Sequence, residues 1–121
     1  MSPLVTLGVY IAGGAGALAR LLLDGGVSIR AGRAFPWGIL AVNALGAFAL
    51  GVLVGAGLRG SGYELAATGF VGSFTTFSTW MLESHWLAAH GHPARAFANV
   101  SVSLVLGVGA VWAGAHLATA L

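Results

Sequence analysis

A run of hydroxyl-bearing and aromatic side chains lies inside a long apolar stretch of the chain, at residues 72–80 with the sequence GSFTTFSTW. The core of a lipid bilayer contains no water to satisfy hydroxyls or interrupted backbone, so polar groups at that depth bind a ligand, line a path or bond internally. Hydroxyl donors beside ring edges can receive a small anion, because the edge of an aromatic ring carries its partial positive charge. Function is therefore sought first in this segment.

Aromatic side chains form one helical stripe through this segment. Spacing i, i+4 and i+7 joins three phenylalanines, which are Phe70, Phe74 and Phe77. Trp80 follows one turn later, and Ser78 and Thr79 add hydroxyl donors beside it. The stripe is compatible with two interpretations: a packed aromatic face of a helix, or ring edges and hydroxyls that together receive an anion.

The start of the same segment is a weak point for a helix. Gly72 lowers helix propensity, and the hydroxyls of Ser73, Thr75 and Thr76 compete for backbone hydrogen bonds. Unwound backbone would expose carbonyl oxygens, which are the ligands that a buried sodium ion needs. The residues alone favour an unbroken helix whose hydroxyls bond back to their own carbonyls, and the broken helix stays open as the alternative.

Three further polar side chains lie in the other apolar stretches. Asn43 is the only strongly polar residue of the second stretch, and its amide can hold an anion or bond to a neighbouring helix. Asn99 and Ser103 are spaced i, i+4 on one face of the fourth stretch and leave the same choice open.

Two charged residues lie near the ends of apolar stretches. Arg20 can snorkel to the membrane interface or pair with an acid such as Glu83. A positive rim at such a position would concentrate anions at a mouth. We interpret Glu83 as an interfacial pairing partner, not as a catalytic acid.

Composition excludes several classes of function. The chain has 121 residues, of which 58% are hydrophobic and only 7% charged, which is typical of a membrane protein. It has no cysteine, so disulfides and thiolate chemistry are excluded. His85, His90 and His92 cluster without carboxylate or cysteine partners at ligand spacing, so side-chain metal binding is not expected. No catalytic triad, phosphate-binding glycine loop or carboxylate pair is present, and we expect no enzyme.

The apolar pattern predicts a single all-α membrane domain of four transmembrane helices. About 20 apolar residues cross a bilayer core, and four such runs are present, at residues 3–23, 36–58, 65–90 (with a possible break near 72–76) and 95–119. Gly51 and Gly55 lie one turn apart, which lets membrane helices approach closely. Four short helices enclose little volume, so a solute pathway calls for a second chain.

Arginine placement bears on orientation in the membrane. One predicted face carries Arg30, Arg33 and Arg95, whereas the face with both termini carries only Arg59. The positive-inside rule would put the first face in the cytoplasm and both termini outside. The difference is small, so insertion in both orientations remains an alternative.

These segments closely resemble the CrcB or Fluc family of small fluoride channels. Residues 13–20, GGAGALAR, are similar to a glycine-rich family pattern that ends in GAxxR, and residues 38–48, GILAVNALGAF, are similar to GTLxVNxxGxF with Ile39 in place of Thr. Residues 69–80, GFVGSFTTFSTW, resemble GFxGxxTTFSTF. The resemblance covers all four helices, and its third pattern is the most specific.

The resemblance implies an antiparallel, dual-topology dimer with two narrow fluoride pathways along the interface and the third helix broken near its middle. Asn43 would supply a donor from the second helix, and Ser78 and Thr79 would form a polar track. Phe77 would be the first of two fluoride-facing rings. Trp80 replaces the second ring, where it would face or block the pathway.

The resemblance implies roles for six further residues. Backbone carbonyls at Gly72 and Thr75 of both subunits would hold a structural sodium ion at the dimer centre. Glu83 would be the acid of a vestibule that also contains Arg20. Asn99 stands where the family often has Tyr, four residues before the matching Ser103, and both are assigned to the pathway.

The expected function is passive, fluoride-selective export through the plasma membrane of a bacterial cell, which would confer fluoride resistance. The implied partners are fluoride, membrane lipid and a second copy or a paralogous subunit, without nucleic acid. One alternative is a degenerate or structural subunit of a heterodimeric channel, for which Trp80 is the main argument. A proton-coupled small multidrug transporter is less favoured, because such a protein needs a carboxylate in its first span and residues 3–19 contain none.

Overall fold

Four membrane-length helical segments make up the protein, described for all residues from Met1 to Leu121 by a computed structural model without strands. Three segments are continuous helices: α1 (Pro3–Ala31), α2 (Trp37–Gly55) and α6 (Pro93–Ala120). The remaining segment is divided into four pieces, which are α3 (Gly60–Tyr63), a π-helix (Glu64–Val71), α4 (Gly72–Phe74) and α5 (Ser78–Ala89). The predicted all-α architecture with a bent third segment is confirmed.

Local signals explain both ends of α1. The hydroxyl of Ser2 accepts the Val5 N–H at 3.1 Å, and Pro3 occupies the first turn, where its missing N–H is not needed. The helix ends before Gly32, which has φ 80° and so adopts a conformation that favours glycine. Its 29 residues exceed the prediction of 3–23, because Asp24 ends the apolar run without ending the helix.

The length and hydropathy of α1, α2 and α6 each suffice to cross a membrane. The third predicted span has no single piece of that length. Its longest uninterrupted α-helix, α5, has 12 residues and therefore extends about 18 Å at about 1.5 Å per residue, short of a hydrocarbon core about 30 Å thick. The protein thus combines three continuous spans with one interrupted segment.

Glycines allow the helices to pack at backbone distance. A Cβ on Gly51 would meet the carbonyl oxygen of Val111, and a Cβ on Gly114 would meet that of Phe48, so α2 and α6 cross in direct backbone contact. A Cβ on Gly16 of α1 would meet the Phe70 carbonyl oxygen in the π-helix. These contacts pack α2 directly on α6, and α1 directly on the π-helix that precedes the break.

The outer surface is apolar. Only 16 of the 121 residues are buried, and large side chains such as Leu4, Ile11 and Val105 are exposed. A protein in water would have to cover such a surface, whereas lipid solvates it. The exposure pattern therefore agrees with a membrane protein.

Candidate functional site

The third segment is interrupted at residues 75–77. Thr75 is extended, with φ −81° and ψ 158°, and its hydroxyl donates to the Val71 carbonyl at 3.0 Å. Gly72 keeps helical angles of φ −59° and ψ −37°. The break therefore begins C-terminal to Gly72 and overlaps the predicted range 72–76 at Thr75 and Thr76. The backbone leaves the helix where hydrogen bonds from α2 replace helical ones.

Those replacement bonds come from Asn43. Its Nδ2 donates to the Thr76 carbonyl at 2.9 Å, and its Oδ1 accepts the Thr76 N–H at 2.8 Å. The amide thus satisfies both backbone groups of the one residue in the middle of the break. Nδ2 carries two hydrogens, so one N–H remains for another acceptor. Of the two roles left open for Asn43, the bond to a neighbouring helix is the one that the structure contains.

Carbonyl oxygens lose their helical partners at the break, and those of Gly72 and Thr75 are two of them. In a continuous helix the Thr76 N–H would bond to the Gly72 carbonyl, but it bonds to Asn43. The Thr79 N–H would bond to the Thr75 carbonyl, but it bonds to the Thr76 hydroxyl at 3.2 Å. The carbonyl oxygens of Gly72 and Thr75 are therefore neutral and have no N–H partner. Oxygens of this kind are suitable ligands for sodium.

Phe77 lies at the end of the break with its ring 70% exposed. Its aromatic neighbour is Trp80, with ring centroids 5.7 Å apart and planes at 87°. In this edge-to-face arrangement the positive edge of one ring meets the negative face of the other. A large, exposed ring beside the break is therefore held by one aromatic contact.

An open groove of about 420 Å³ runs beside the break between α2 and α6. Four of the seven predicted pathway residues line it, namely Asn43, Phe77, Trp80 and Ser103. Its walls also include Thr75 and Thr76, together with apolar residues of α2 and α6. Ser78 and Thr79 lie outside its lining, with Ser78 exposed and Thr79 half-buried in the first turn of α5.

Asn99 occupies the interior between α5 and α6, away from the groove. It is 1% exposed, its Nδ2 donates to Ser84 Oγ at 2.8 Å, and its Oδ1 accepts from Ser103 Oγ at 3.4 Å. Ser84 also donates to the Trp80 carbonyl at 2.8 Å, while Trp80 Nε1 donates to the Asn99 carbonyl at 3.1 Å. Sequence reasoning missed Ser84, although its i, i+4 spacing from Trp80 was a usable signal.

Arg20 Nε and Glu83 Oε1 are not hydrogen-bonded to each other. Arg20 Nε and Glu83 Oε1 are both buried without a hydrogen-bond partner. Glu83 instead borders a second cavity of about 320 Å³, whose other walls include Ser28, Arg33 and Trp86. The guanidinium that shares this cavity with Glu83 therefore belongs to Arg33.

Comparison with known proteins agrees with this geometry. Residues 7–115 match the family described as "CrcB-like protein, Camphor Resistance (CrcB)". The chain belongs to the CrcB family. The matched range includes Asn43, the break, the groove and the buried network around Asn99.

Several curated relatives of this CrcB chain cover nearly its whole length. "Fluoride-specific ion channel FluC 2" of Mycobacterium tuberculosis (strain ATCC 25618 / H37Rv) is 46% identical over 114 residues, covering 94% of this chain and 90% of the relative. "Fluoride-specific ion channel FluC 1" of Rubrobacter xylanophilus is 47% identical over 117 residues, covering 96% and 94%. "Fluoride-specific ion channel FluC" of Geobacter sulfurreducens is 45% identical over 113 residues, covering 89% and 91%.

Proposed function

We propose that this chain is the subunit of a fluoride-selective channel that exports fluoride passively through the bacterial plasma membrane and so confers fluoride resistance. The observation that carries the proposal is the helix break held by Asn43, which brings polar groups and the Phe77 ring to a groove in a membrane span. Family membership and the names of the relatives support the same activity.

The chemistry of the groove suits a small, strongly hydrated anion. Fluoride must exchange its water for several donors that bind well enough for entry and weakly enough for release. Asn43 keeps one N–H beyond those bonded to Thr76, Phe77 offers a ring edge, and Ser78 and Thr79 offer hydroxyls. Narrowness would exclude the larger chloride ion, and no covalent step is needed, so we propose a channel and not an enzyme.

A second chain completes the site in this proposal. The groove is open on one side, and Phe77 is 70% exposed beside it. An antiparallel second copy, or a paralogous subunit, would cover that ring and close two pathways along the interface. Arg20 and Glu83 would then lie toward the vestibule, where positive potential gathers anions.

We further propose that the free carbonyls of Gly72 and Thr75 hold a structural sodium ion at the dimer centre. Each carbonyl has lost its helical N–H partner to Asn43 or to the Thr76 hydroxyl. Two such oxygens from each of two chains would supply neutral ligands without a buried charge. Replacing sodium by an organic cation during purification should lower both fluoride flux and dimer stability.

Fluoride efflux from liposomes tests the function. Purified, sodium-supplied protein is reconstituted with fluoride or chloride inside, and release is followed with ion-selective electrodes. Fluoride should leave far faster than chloride, and liposomes without protein set the background. Absence of fluoride release, both for this chain alone and for this chain with a paralogous partner, would refute the channel.

Trp80 motivates a second candidate, a degenerate subunit of a heterodimeric channel. Its indole lines the groove, where a bulky ring can obstruct passage. Trp80→Phe separates the candidates: a large gain in fluoride flux would indicate a degenerate pore, whereas flux without a gain would indicate a functional ring. The unmodified chain measured in parallel is the reference.

A further inference from the structure

The indole of Trp80 is attached at two points. Its Nε1 donates to the Asn99 carbonyl of α6 at 3.1 Å, and its ring meets Phe77 edge-to-face at 5.7 Å. The N–H group is therefore already committed to α6. This N–H group is therefore not a free donor toward the groove.

A second pair of hydrogen bonds secures the same junction. Ser84 Oγ accepts from Asn99 Nδ2 and donates to the Trp80 carbonyl, both at 2.8 Å. The backbone carbonyl and the indole N–H of Trp80 are thus both connected to residue 99, directly or through Ser84. Because Asn99 is 1% exposed, its bond to Ser84 lies in a dry interior, where it is electrostatically stronger than in water, whereas the bond from Ser84 to Trp80 is part-buried.

Phe77 has much less support of its own. It precedes α5, lies at the end of the irregular backbone and exposes 70% of its surface. An exposed aromatic side chain outside regular structure changes rotamer readily. Within its own chain, its contact with a fixed indole is the feature that can restrict it.

We propose that Trp80 is a positioning residue for Phe77, and that its bond to the Asn99 carbonyl holds the indole where it orients the Phe77 ring. This inference rests on the proposed function, in which fluoride passes the edge of Phe77. The fixed indole supplies a wall to the pathway without adding a strong donor, so fluoride is oriented by Phe77 and is not trapped at Trp80.

Replacing the indole at position 80 by benzothiophene, through incorporation of 3-benzothienylalanine, tests the proposal. The substitution exchanges the N–H for sulfur and preserves the shape of the ring. We expect fluoride efflux from liposomes to fall by about threefold to tenfold, the effect of one lost hydrogen bond, and the preference for fluoride over chloride to narrow. The same replacement at Trp112, which is 64% exposed on α6, is the matched control and should change neither quantity.

A second measurement follows Phe77 directly. With 4-fluorophenylalanine at position 77, ¹⁹F NMR should give one resonance in the parent and a broadened or multiple signal after the replacement at position 80. Ser84→Ala should change the spectrum in the same direction. An unchanged spectrum overturns the positioning role, whether or not flux falls.

The two proposals fail in different ways. Fluoride efflux by the parent together with unchanged efflux, selectivity and ¹⁹F spectrum in the variant would refute the positioning role and leave the channel intact. A parent without fluoride efflux, both alone and with a paralogous partner, would refute the channel, while the spectrum would still decide whether Trp80 orients Phe77.

Discussion

At the scale of the residue, one amide determines the geometry of the break. Asn43 pairs with both the N–H and the carbonyl of Thr76, as a residue of a neighbouring β-strand would. The position of Asn43 in an uncharged span indicated a polar role from the sequence alone. The sequence did not indicate that Thr76 would be its partner. Thr76 lies 33 residues away along the chain. Whether the Asn43 amide reaches an anion or a neighbouring segment depends on how α2 packs against the third segment.

Asn43→Ala should destabilise the protein as well as impair transport. The substitution leaves the N–H and carbonyl of Thr76 unpaired in a part-buried position, and each such group costs about 1–3 kcal/mol. We expect a clear fall in melting temperature in detergent, together with loss of most fluoride efflux. Thr119→Ala, at the exposed end of α6, is the control and should leave both unchanged.

An Asn43→Ala protein that keeps its melting temperature but loses efflux would show that the amide acts on the ion alone. An unchanged value of both quantities would remove Asn43 from the site altogether. The two measurements therefore separate the bracing role, which rests on the hydrogen bonds to Thr76, from the remaining N–H that we propose for fluoride.

At the scale of the element, small residues determine where the third segment lies. Gly16 of α1 packs so tightly against the π-helix that a Cβ would meet the Phe70 carbonyl oxygen. A Cβ on Gly14, two residues earlier, would have no neighbouring atom within 4 Å. The two glycines therefore form a matched pair with opposite expectations.

Gly16→Ala should be destabilising and Gly14→Ala should not. An added methyl group at Gly16 forces α1 away from the segment that leads into the break, and such overpacking costs about 1–3 kcal/mol. At Gly14 the methyl group enters open space and removes the helix penalty of glycine. Thermal unfolding of both variants in detergent tests this, and equal melting temperatures would contradict the close contact.

Much of this architecture was accessible from the sequence, and the exceptions have physical causes. Four apolar runs predicted the spans, and the Gly51–Gly55 spacing predicted a tight contact face, because both depend on local composition. The structure shows that this face packs on α6. The break at residues 75–77 overlaps only the end of the predicted range 72–76, because Gly72, although a weak helix former, keeps helical angles. The sequence left open whether Asn99 holds an anion or bonds to a neighbouring helix, since its partner Ser84 becomes a neighbour only when α5 packs on α6.

At the scale of the whole molecule, the surface favours assembly in the membrane. Large apolar side chains are exposed along the helices, and the groove beside the break is open. Lipid can cover most of this surface, but it offers no hydrogen-bond donors to the polar groups at the break. A second protomer can cover the groove while bringing its own Asn43, Phe77 and free carbonyls to the interface.

Charge distribution bears on how such a pair inserts. The face between α1 and α2 and between α5 and α6 has Arg30, Arg33 and Arg95, while the other face has Arg59. Orientation follows the difference in Lys and Arg between the two faces. Because that difference is small here, we expect both orientations to form. An antiparallel dimer of one chain requires such dual insertion.

Reporter fusions at Leu121 should therefore be active on both sides of the membrane. A periplasm-active phosphatase and a cytoplasm-active fluorescent protein would each give a strong signal when joined to the same chain. Replacing Arg30 and Arg33 by Gln removes two charges from the favoured face and should shift the balance toward a cytoplasmic carboxyl terminus, because that face would then lose its excess. Arg59→Gln should shift the balance the other way. Activity of only one reporter for the unmodified chain would mean a single orientation, and the antiparallel partner would then have to be a different subunit.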